Sequence, residues 1–259
     1  MDLTVAEIKA LLAEADAGEF PALEEALAAD GRKGVRSAVE ACRRRLQAQA
    51  AEEARLQALY DFDSQWGDPA MVAGLDEVGR GAVAGPLAVG AVVLPPRPQI
   101  PLLNDSKQLT AAQREEAARR IRECALAWAV FYVEPERIDS EGMAACLRAA
   151  FAGALGAIEA AGAAVRTVLV DGNPLGIDPR ERNVVKGDGT SAAIAAASIV
   201  AKVERDRLMT ELSSTYPQYG FSSHKGYGSA DHIEAIGKYG LSPVHRASFC
   251  RSFQQQSLF

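Results

Sequence analysis

Apolar residues recur at helical spacing over the first sixty residues of this chain. Ile8, Leu11 and Leu12 follow the capping-box pattern Thr4–Glu7, and a long polar helix is expected over 35–60. From residue 72 onward the pattern changes to short apolar runs that alternate with Ala-rich helical stretches. Such alternation is typical of an α/β domain.

This change of pattern predicts three parts. They are a helical extension over 1–68, an α/β domain over 69–250 and a flexible tail over 251–259. We expect the linker between the first two parts over 61–69.

Two of the short apolar runs end in acidic residues. The first stops at Asp76-Glu77, a Gly-rich turn follows, and a second run covers 87–94, which predicts strand, turn and strand. A short buried strand over 167–170 ends at Asp171. Carboxylates at strand ends suit Mg²⁺ or Mn²⁺, although an Asp-Glu pair can equally be a solvated turn. A dinucleotide fingerprint is excluded because the acids precede the first glycine.

An Ala-rich helix, expected from about 190 to 212, carries one polar stripe. Ser198, Lys202 and Asp206 recur four residues apart and therefore share a face. The Lys-Asp pair could be an ordinary surface ion pair, but the apolar background favours a stripe that faces a site. Asp206 would then join the acids at the strand ends, and divalent cations would relieve the repulsion among the four carboxylates.

Composition and motifs exclude several classes of protein. The 259 residues carry a net charge of −6, so a nucleic-acid partner would need a local basic surface. Four cysteines lack C-x-x-C spacing, which argues against a zinc site or a disulfide framework and predicts a reducing, cytoplasmic setting. We find no signal peptide, no apolar run of membrane length, no P-loop and no G-x-S-x-G elbow.

The helical extension supplies a candidate basic surface. Arg32, Lys33 and Arg36 precede its long helix, and Arg43–Arg45 lie within it. One interpretation is a small module that grips nucleic acid through phosphate contacts. The other is a solvated helical extension.

Six segments, in order, resemble bacterial ribonuclease HII. They read GLDEVGRGAVAGPLAVGAVV, NDSKQLT, VLVDGN, VVKGDGTSAAIAAASIVAKVERDRLM, YPQYGFSSHKGYG and HRASF. The similarity covers about Val72 to Phe249, and the N-terminal extension resembles that of some bacterial members only. The resemblance implies an RNase H-like three-layer α/β fold. Its parts would be a five-stranded mixed sheet, flanking helices and a C-terminal helical piece.

The resemblance also implies roles for individual residues. The four metal-binding and catalytic acids fall on Asp76, Glu77, Asp171 and Asp206. The backbone of the turn Gly79-Arg80-Gly81 would recognise a ribose 2′-hydroxyl, and Tyr227 would contact the sugar beside the scissile phosphate. Polar positions near the substrate backbone fall on Asn104, Ser106, Lys107, Lys186 and Lys225.

The activity that the resemblance implies is that of a monomeric endoribonuclease dependent on Mg²⁺ or Mn²⁺. Such an enzyme would cut the RNA strand of RNA–DNA hybrids, and would cut 5′ of single ribonucleotides in duplex DNA, leaving 3′-hydroxyl and 5′-phosphate ends. A non-catalytic hybrid-binding protein is the alternative. A kinase of the actin-like fold would need a duplicated domain, for which the chain is too short.

The last five residues resemble the short motif that binds the bacterial sliding clamp. Gln255 is followed three and four residues later by Leu258 and Phe259. In a docking peptide these three side chains would make the contacts to the clamp. An apolar pair at the end of a polar tail can equally arise by chance.

Overall fold

A computed structural model describes residues 3–251 of the chain and divides it into two compact units, Met1–Gln57 and Ala58–Phe259. We call them the helical unit and the sheet unit. Gln255, Leu258 and Phe259, which carry the predicted clamp-binding motif, lie outside the described residues.

The helical unit contains α1 (Val5–Glu14), α2 (Phe20–Leu27) and most of α3 (Lys33–Ser64). The predicted capping box begins α1, since the Thr4 side chain accepts from the Glu7 N–H and the Glu7 carboxylate accepts from the Thr4 N–H. Buried apolar side chains from all three helices form the core of this unit. They include Ile8, Leu12, Phe20, Leu27 and Val35.

The sheet unit contains a five-stranded mixed sheet in the order β3-β2-β1-β4-β5. The strands are β1 (Val72–Val78), β2 (Leu87–Val93), β3 (Ala127–Val133), β4 (Thr167–Asp171) and β5 (Glu181–Val184). Strands β1, β2 and β3 pair antiparallel, whereas β4 pairs parallel with both β1 and β5. The predicted hairpin and the predicted mixed sheet are both confirmed.

Further helices of the sheet unit follow the end of α3 within the described residues 58–251. They are α4 (Ala111–Cys124), α5 (Pro135–Glu141), α6 (Met143–Ala160), α7 (Ala192–Thr215), α8 (Phe221–His224) and α9 (Ala230–Tyr239). A single helix predicted over 140–161 is two helices, because Gly142 adopts φ +81° and separates α5 from α6.

Helix α6 packs on one face of the sheet. Its buried side chains Leu147, Phe151, Leu155 and Ile158 join the main core with residues of β1 and β2. By length and composition alone α6 could also cross a membrane, but the core helix of a folded domain passes the same test. Its place in this core is that of the central helix of a folded domain.

Helix α7 lies directly against β1 and β2, and two glycines allow this approach. A side chain at Gly74 would collide with the backbone of Ala193 and Ile194, and one at Gly90 would collide with the Ala197 carbonyl. Glycine in a strand interior often marks such a close approach of another backbone. The contact fixes α7 beside the end of β1, where the acidic pair lies.

The expected linker over 61–69 begins too early. Helix α3 continues to Ser64, and its last two turns belong to the sheet unit. The Tyr60 hydroxyl accepts from the Ile100 N–H (2.9 Å). The buried Asp63 carboxylate accepts from the Ser191 hydroxyl (2.5 Å) and from the Ala193 N–H (2.9 Å), so it caps the start of α7.

Candidate active site

Three of the predicted acids meet at one edge of the sheet. Strands β1 and β4 are parallel neighbours with Leu75 opposite Val170, so Asp76 and Asp171, the next residue on each strand, lie side by side. Together with Glu77 they line a cavity of about 500 Å³. Strand β1 continues to Val78, so Asp76 and Glu77 lie within its pairing with β2 rather than at its end, whereas Asp171 is the last residue of β4.

Asp76 is the most buried of these three carboxylates, with 7% of its surface exposed. Burial raises its pKa to about 7, and repulsion by Asp171 and Glu77 acts in the same direction. A hydrogen bond from the Ser198 hydroxyl opposes the rise. Burial also raises the pKa of Glu77, against the attraction of Arg80. The cavity therefore concentrates negative charge that water solvates poorly.

The polar stripe of α7 reaches the cavity only in part. Ser198 and Lys202 line it, and the Ser198 hydroxyl lies 3.1 Å from that of Ser106. Asp206, one turn further along, does not line the cavity. It forms an ion pair with Lys202 (2.8 Å) and borders a neighbouring cleft with Arg207 and Lys225. Asp206 is thus not among the residues that line the cavity with the other three acids, and its assignment to the site stays a prediction.

A different acid, Asp188, lies near Asp171. It belongs to a 3-10 turn, Gly187–Gly189, and the Gly187 N–H donates to the Asp171 carboxylate (2.6 Å). Burial raises the pKa of Asp188, and the carboxylates of Asp105 and Asp171 raise it further. Its own carboxylate lies 3.7 Å from the ammonium of Lys107, which lines the cavity.

The donor chemistry of this edge fits a hard divalent cation. Carboxylate oxygens are the ligands that Mg²⁺ and Mn²⁺ prefer, and a cation would relieve the repulsion that raises the pKa of Asp76. Within residues 3–251, no three acid, imidazole or thiol groups lie close enough together to hold a metal ion as they stand.

The Gly79-Arg80-Gly81 turn forms another wall of the cavity. Two fully buried arginines hold the loop that contains it. Arg246 donates to the carbonyls of Arg80 (3.1 Å) and Gly85 (3.0 Å). Arg205 donates to the carbonyls of Ala84 (3.1 Å) and Pro86 (2.9 Å). Gly79 has φ +83°, and a side chain there would collide with the Arg205 guanidinium.

Tyr227 faces the same cavity from the C-terminal part of the unit. Its ring is 39% exposed and lies 5.7 Å from the Arg205 guanidinium carbon. The Arg205 side chain also donates to the Lys225 carbonyl (2.9 Å). Arg205 thus connects the glycine loop to the segment that carries Tyr227.

The other predicted substrate positions divide into two groups. Ser106 and Lys107 line the cavity, whereas Asn104, Lys186 and Lys225 do not. Asn104 accepts from the Asp105 N–H (2.8 Å). Lys186 is exposed before the 187–189 turn, and the Lys225 ammonium donates to the Thr210 hydroxyl (2.8 Å) beside Asp206.

Sequence reasoning missed two kinds of residue. Asp188 lies in the turn Gly187–Gly189 shortly after β5 ends at Val184, whereas Asp171 is the last residue of β4, so a strand-end rule that included the following turn could have found it. Arg205 and Arg246 gave no usable signal, because an arginine in a sequence normally indicates a solvated surface position. Only the folded chain brings their guanidinium groups under the glycine loop.

Comparison with known proteins decides the family. Residues 73–252 match the family described as ribonuclease HII, and residues 4–67 match the ribonuclease HII N-terminal domain. The chain belongs to the ribonuclease HII family. It is accordingly a ribonuclease H-type nuclease. One relative, ribonuclease HII of Halalkalibacterium halodurans, is 40% identical over 95% of this chain and 94% of its own.

Solved structures carry the same fold. The ribonuclease H2 of Pyrococcus horikoshii is 28% identical, with a TM-score of 0.61 over 72% of this chain and 98% of its own. The PCNA:RNase HII complex of Archaeoglobus fulgidus gives 27% identity and a TM-score of 0.58 over 68% and 93% of the two chains. Both support the RNase H-like fold that the sequence resemblance implies.

Proposed function

We propose that this ribonuclease HII hydrolyses the RNA strand of RNA–DNA hybrids and cuts 5′ of single ribonucleotides embedded in duplex DNA. The products would carry 3′-hydroxyl and 5′-phosphate ends. One observation carries the proposal: three carboxylates share a cavity with an exposed glycine turn and a tyrosine. The carboxylates suit phosphodiester hydrolysis. The glycine turn and the tyrosine suit recognition of a sugar.

Asp76, Glu77 and Asp171 would hold the metal, with Asp188 as the fourth acid in place of Asp206. Two divalent ions, Mg²⁺ or Mn²⁺, would activate water and stabilise the leaving oxygen. Ser198 fixes the Asp76 carboxylate by its hydrogen bond. Lys107 and Lys202 supply positive charge on the cavity wall, where a substrate phosphate would approach.

The Gly79-Arg80-Gly81 turn would recognise the ribose. Backbone groups can reach a 2′-hydroxyl only where side chains leave room, and Gly81 has open space where a side chain would be. The 2′-hydroxyl is the feature that distinguishes RNA from DNA at one nucleotide. The buried arginines behind the loop keep its carbonyls fixed.

Tyr227 would pack on the deoxyribose that follows the ribonucleotide. Its exposed ring faces the cavity, and stacking on a nucleotide is worth roughly 1–3 kcal/mol. Replacing Tyr227 with Ala should therefore reduce cleavage at a single embedded ribonucleotide more than cleavage of an all-RNA strand. Equal losses on both substrates would remove this role.

The test is cleavage of a labelled DNA duplex that contains one ribonucleotide, in Mg²⁺ and separately in Mn²⁺, with both product ends mapped. We expect one cut on the 5′ side of the ribonucleotide. An all-DNA duplex is the matched control and should stay intact. Hybrid binding without cleavage in either metal would support the alternative, a non-catalytic hybrid-binding protein.

We also propose that the sliding clamp is a partner, through Gln255, Leu258 and Phe259. The RNase HII of Archaeoglobus fulgidus was solved in complex with the clamp PCNA, which supports a partner of this kind. Two apolar anchors on a short peptide are expected to give micromolar affinity. Titration of the full chain, and of a form ending at Ser257, against the bacterial clamp should show binding by the full chain only.

A further inference from the structure

All three histidines of the chain lie in one cluster beside Tyr227. The rings of His224 and His232 stack with centroids 4.2 Å apart, and the Nε2 atoms of His232 and His245 lie 3.0 Å apart. Tyr219 and Phe221 pack against the cluster through their rings. His232 is fully buried and His245 nearly so.

The hydrogen bonds of this cluster permit one proton arrangement. The Ser242 N–H lies 2.9 Å from His245 Nδ1 and can only donate, so this nitrogen accepts. A neutral His245 therefore carries its proton on Nε2 and donates it to His232 Nε2. His232 then carries its proton on Nδ1, where it donates to the Tyr227 carbonyl (2.9 Å), which can only accept.

The third histidine, His224, forms a hydrogen bond with Gly226, the residue before Tyr227. The Gly226 N–H donates to His224 Nδ1 (3.2 Å), so the His224 proton lies on Nε2 and is donated to the Tyr219 carbonyl (2.7 Å). Gly226 also accepts, at its carbonyl, from the N–H groups of Val83 and Ala84 in the glycine loop. A side chain at Gly226 would collide with the Ala84 carbonyl.

The geometry favours neutral rings at His232 and His245. A second proton on His232 Nε2 would face the His245 Nε2–H. One on His245 Nδ1 would face the Ser242 N–H, although the Ser242 hydroxyl, 2.7 Å away, could accept it. Burial lowers the pKa of His232 and lowers that of His245 to about 4. The hydrogen bonds thus all donate in one direction, from Ser242 through His245 and His232 to the Tyr227 carbonyl.

We propose that His232, oriented by His245, is a positioning residue that sets the location of the Tyr227 ring and hence the choice between embedded ribonucleotides and continuous RNA. The proposal rests on the role of Tyr227 given under the proposed function. The ring is exposed, so its position depends on how the backbone of the residues around it is held. The Tyr227 N–H donates to the His224 carbonyl and the Tyr227 carbonyl accepts from the Ser229 N–H, and the bond from His232 is the side-chain contact that adds to this hold.

Two substitutions at one position separate this role from general stability. His232→Asn places an amide N–H near the position of Nδ1 and can still donate to the Tyr227 carbonyl. His232→Gln places its amide near Nε2 and loses that donor. We expect the Gln variant to lower the ratio of embedded-ribonucleotide to hybrid cleavage about fivefold, and the Asn variant to retain the ratio. Equal ratios in both variants would overturn the proposal.

Combining Tyr227→Ala with His232→Gln tests the role of His232 separately from the role of Tyr227. If Tyr227→Ala lowers the ratio, adding His232→Gln should lower it no further, because both act through one ring. A reduction by Tyr227→Ala with none by His232→Gln would overturn the inference alone. No reduction by Tyr227→Ala would overturn the role of Tyr227 itself.

The untagged wild-type protein provides a test that needs no variant. Long-range proton–nitrogen NMR correlations distinguish imidazole tautomers, and only three rings contribute. We expect an Nδ1–H tautomer at His232 and Nε2–H tautomers at His224 and His245. An Nε2–H tautomer at His232 would leave the Tyr227 carbonyl without this donor and would overturn the proposal.

Discussion

At the scale of single residues, Asp76 shows how the fold changes the pKa of an acid that lines the cavity. Its carboxylate is buried, it lies near Asp171 and Glu77, and its pKa rises from 3.8 to about 7. The folded chain therefore binds a proton at Asp76 more tightly than the unfolded chain does. Between about pH 4 and pH 7, stability without metal should fall as pH rises, since the carboxylate must ionise in place.

The first prediction concerns Asp76→Asn. The amide removes the buried charge, so the metal-free variant should be more stable than wild type by about 1–3 kcal/mol at pH 8 and by little near pH 4. Cleavage should be nearly abolished while hybrid binding survives. Thermal unfolding at both pH values, with and without Mg²⁺, measures this, and Mg²⁺ should stabilise the wild type more. Near-normal turnover by the variant would contradict the site.

The second prediction compares Asp188→Asn with Asp206→Asn. Asp188 is electrostatically coupled to Asp171, whereas Asp206 forms an ion pair with Lys202 outside the cavity. Asp188→Asn should reduce kcat at least about 100-fold, and Asp206→Asn by less than about tenfold. Steady-state rates at saturating Mg²⁺ decide between them. The reverse order would restore the assignment of Asp206 that the sequence suggests.

At the scale of elements, the site depends on how closely α7 packs against β1 and β2. Gly74 and Gly90 leave no space for a side chain, because the α7 backbone occupies it. The Asp63 carboxylate fixes the first turn of the same helix. These contacts set the position of Ser198 and Lys202 relative to Asp76.

The third prediction tests this packing with two glycine substitutions. Gly74→Ala should destabilise the enzyme by about 1–3 kcal/mol and lower kcat, because α7 must move away from the strand. Gly156→Ala is the matched control on α6, where nothing lies within 4 Å of an added side chain. It should stabilise by about 0.5–1 kcal/mol and leave kcat unchanged. A Gly74→Ala enzyme as stable as wild type would contradict this account of the packing.

The elements also show why some features could be predicted and others could not. Asp76, Glu77 and Asp171 are local signals, since each acid follows a short apolar run and parallel strand ends share an edge. The stripe on α7 predicts which residues share a face but not how far along the helix the cavity extends: Ser198 and Lys202 line it, and Asp206, one turn later, does not. The arginines behind the glycine loop depend on contacts more than a hundred residues apart.

At the scale of the whole molecule, the two units divide at a point that the sequence does not mark. The N-terminal family match ends at residue 67, yet the sheet unit begins at Ala58. Tyr60 and Asp63 make their hydrogen bonds to Ile100, Ser191 and Ala193 of the sheet unit. A helix can thus belong by sequence to one domain while its end stabilises another.

The fourth prediction compares two truncations. A chain starting at Ala58 should fold and unfold cooperatively, because it keeps the Asp63 cap of α7. A chain starting at Pro69 should be less stable by about 2–4 kcal/mol, because the Ser191 hydroxyl and the Ala193 N–H lose their acceptor. Urea unfolding of both forms measures the difference. Equal midpoints would mean that residues 58–68 add nothing to the sheet unit.

The last prediction addresses the two interpretations of the helical unit, a nucleic-acid grip or a solvated extension. Several of its arginines already have partners inside the unit: Arg32 pairs with Asp30, Arg43 with Glu24 and Glu40, and Arg45 donates to the Leu12 and Ala15 carbonyls. Each phosphate contact contributes close to one unit to the dependence of log affinity on log salt. Arginines held in this way leave few cations for phosphate.

We therefore expect the form starting at Ala58 to bind a hybrid with a salt slope within about one unit of that of the full chain. Both forms are titrated with a hybrid from about 50 to 200 mM salt, and the two slopes are compared. Ca²⁺ replaces Mg²⁺ in these titrations so that the hybrid is bound but not cleaved. If the slope of the form starting at Ala58 were smaller than that of the full chain by about three units or more, these ion pairs would have to open on binding, and the helical unit would contact the substrate phosphates.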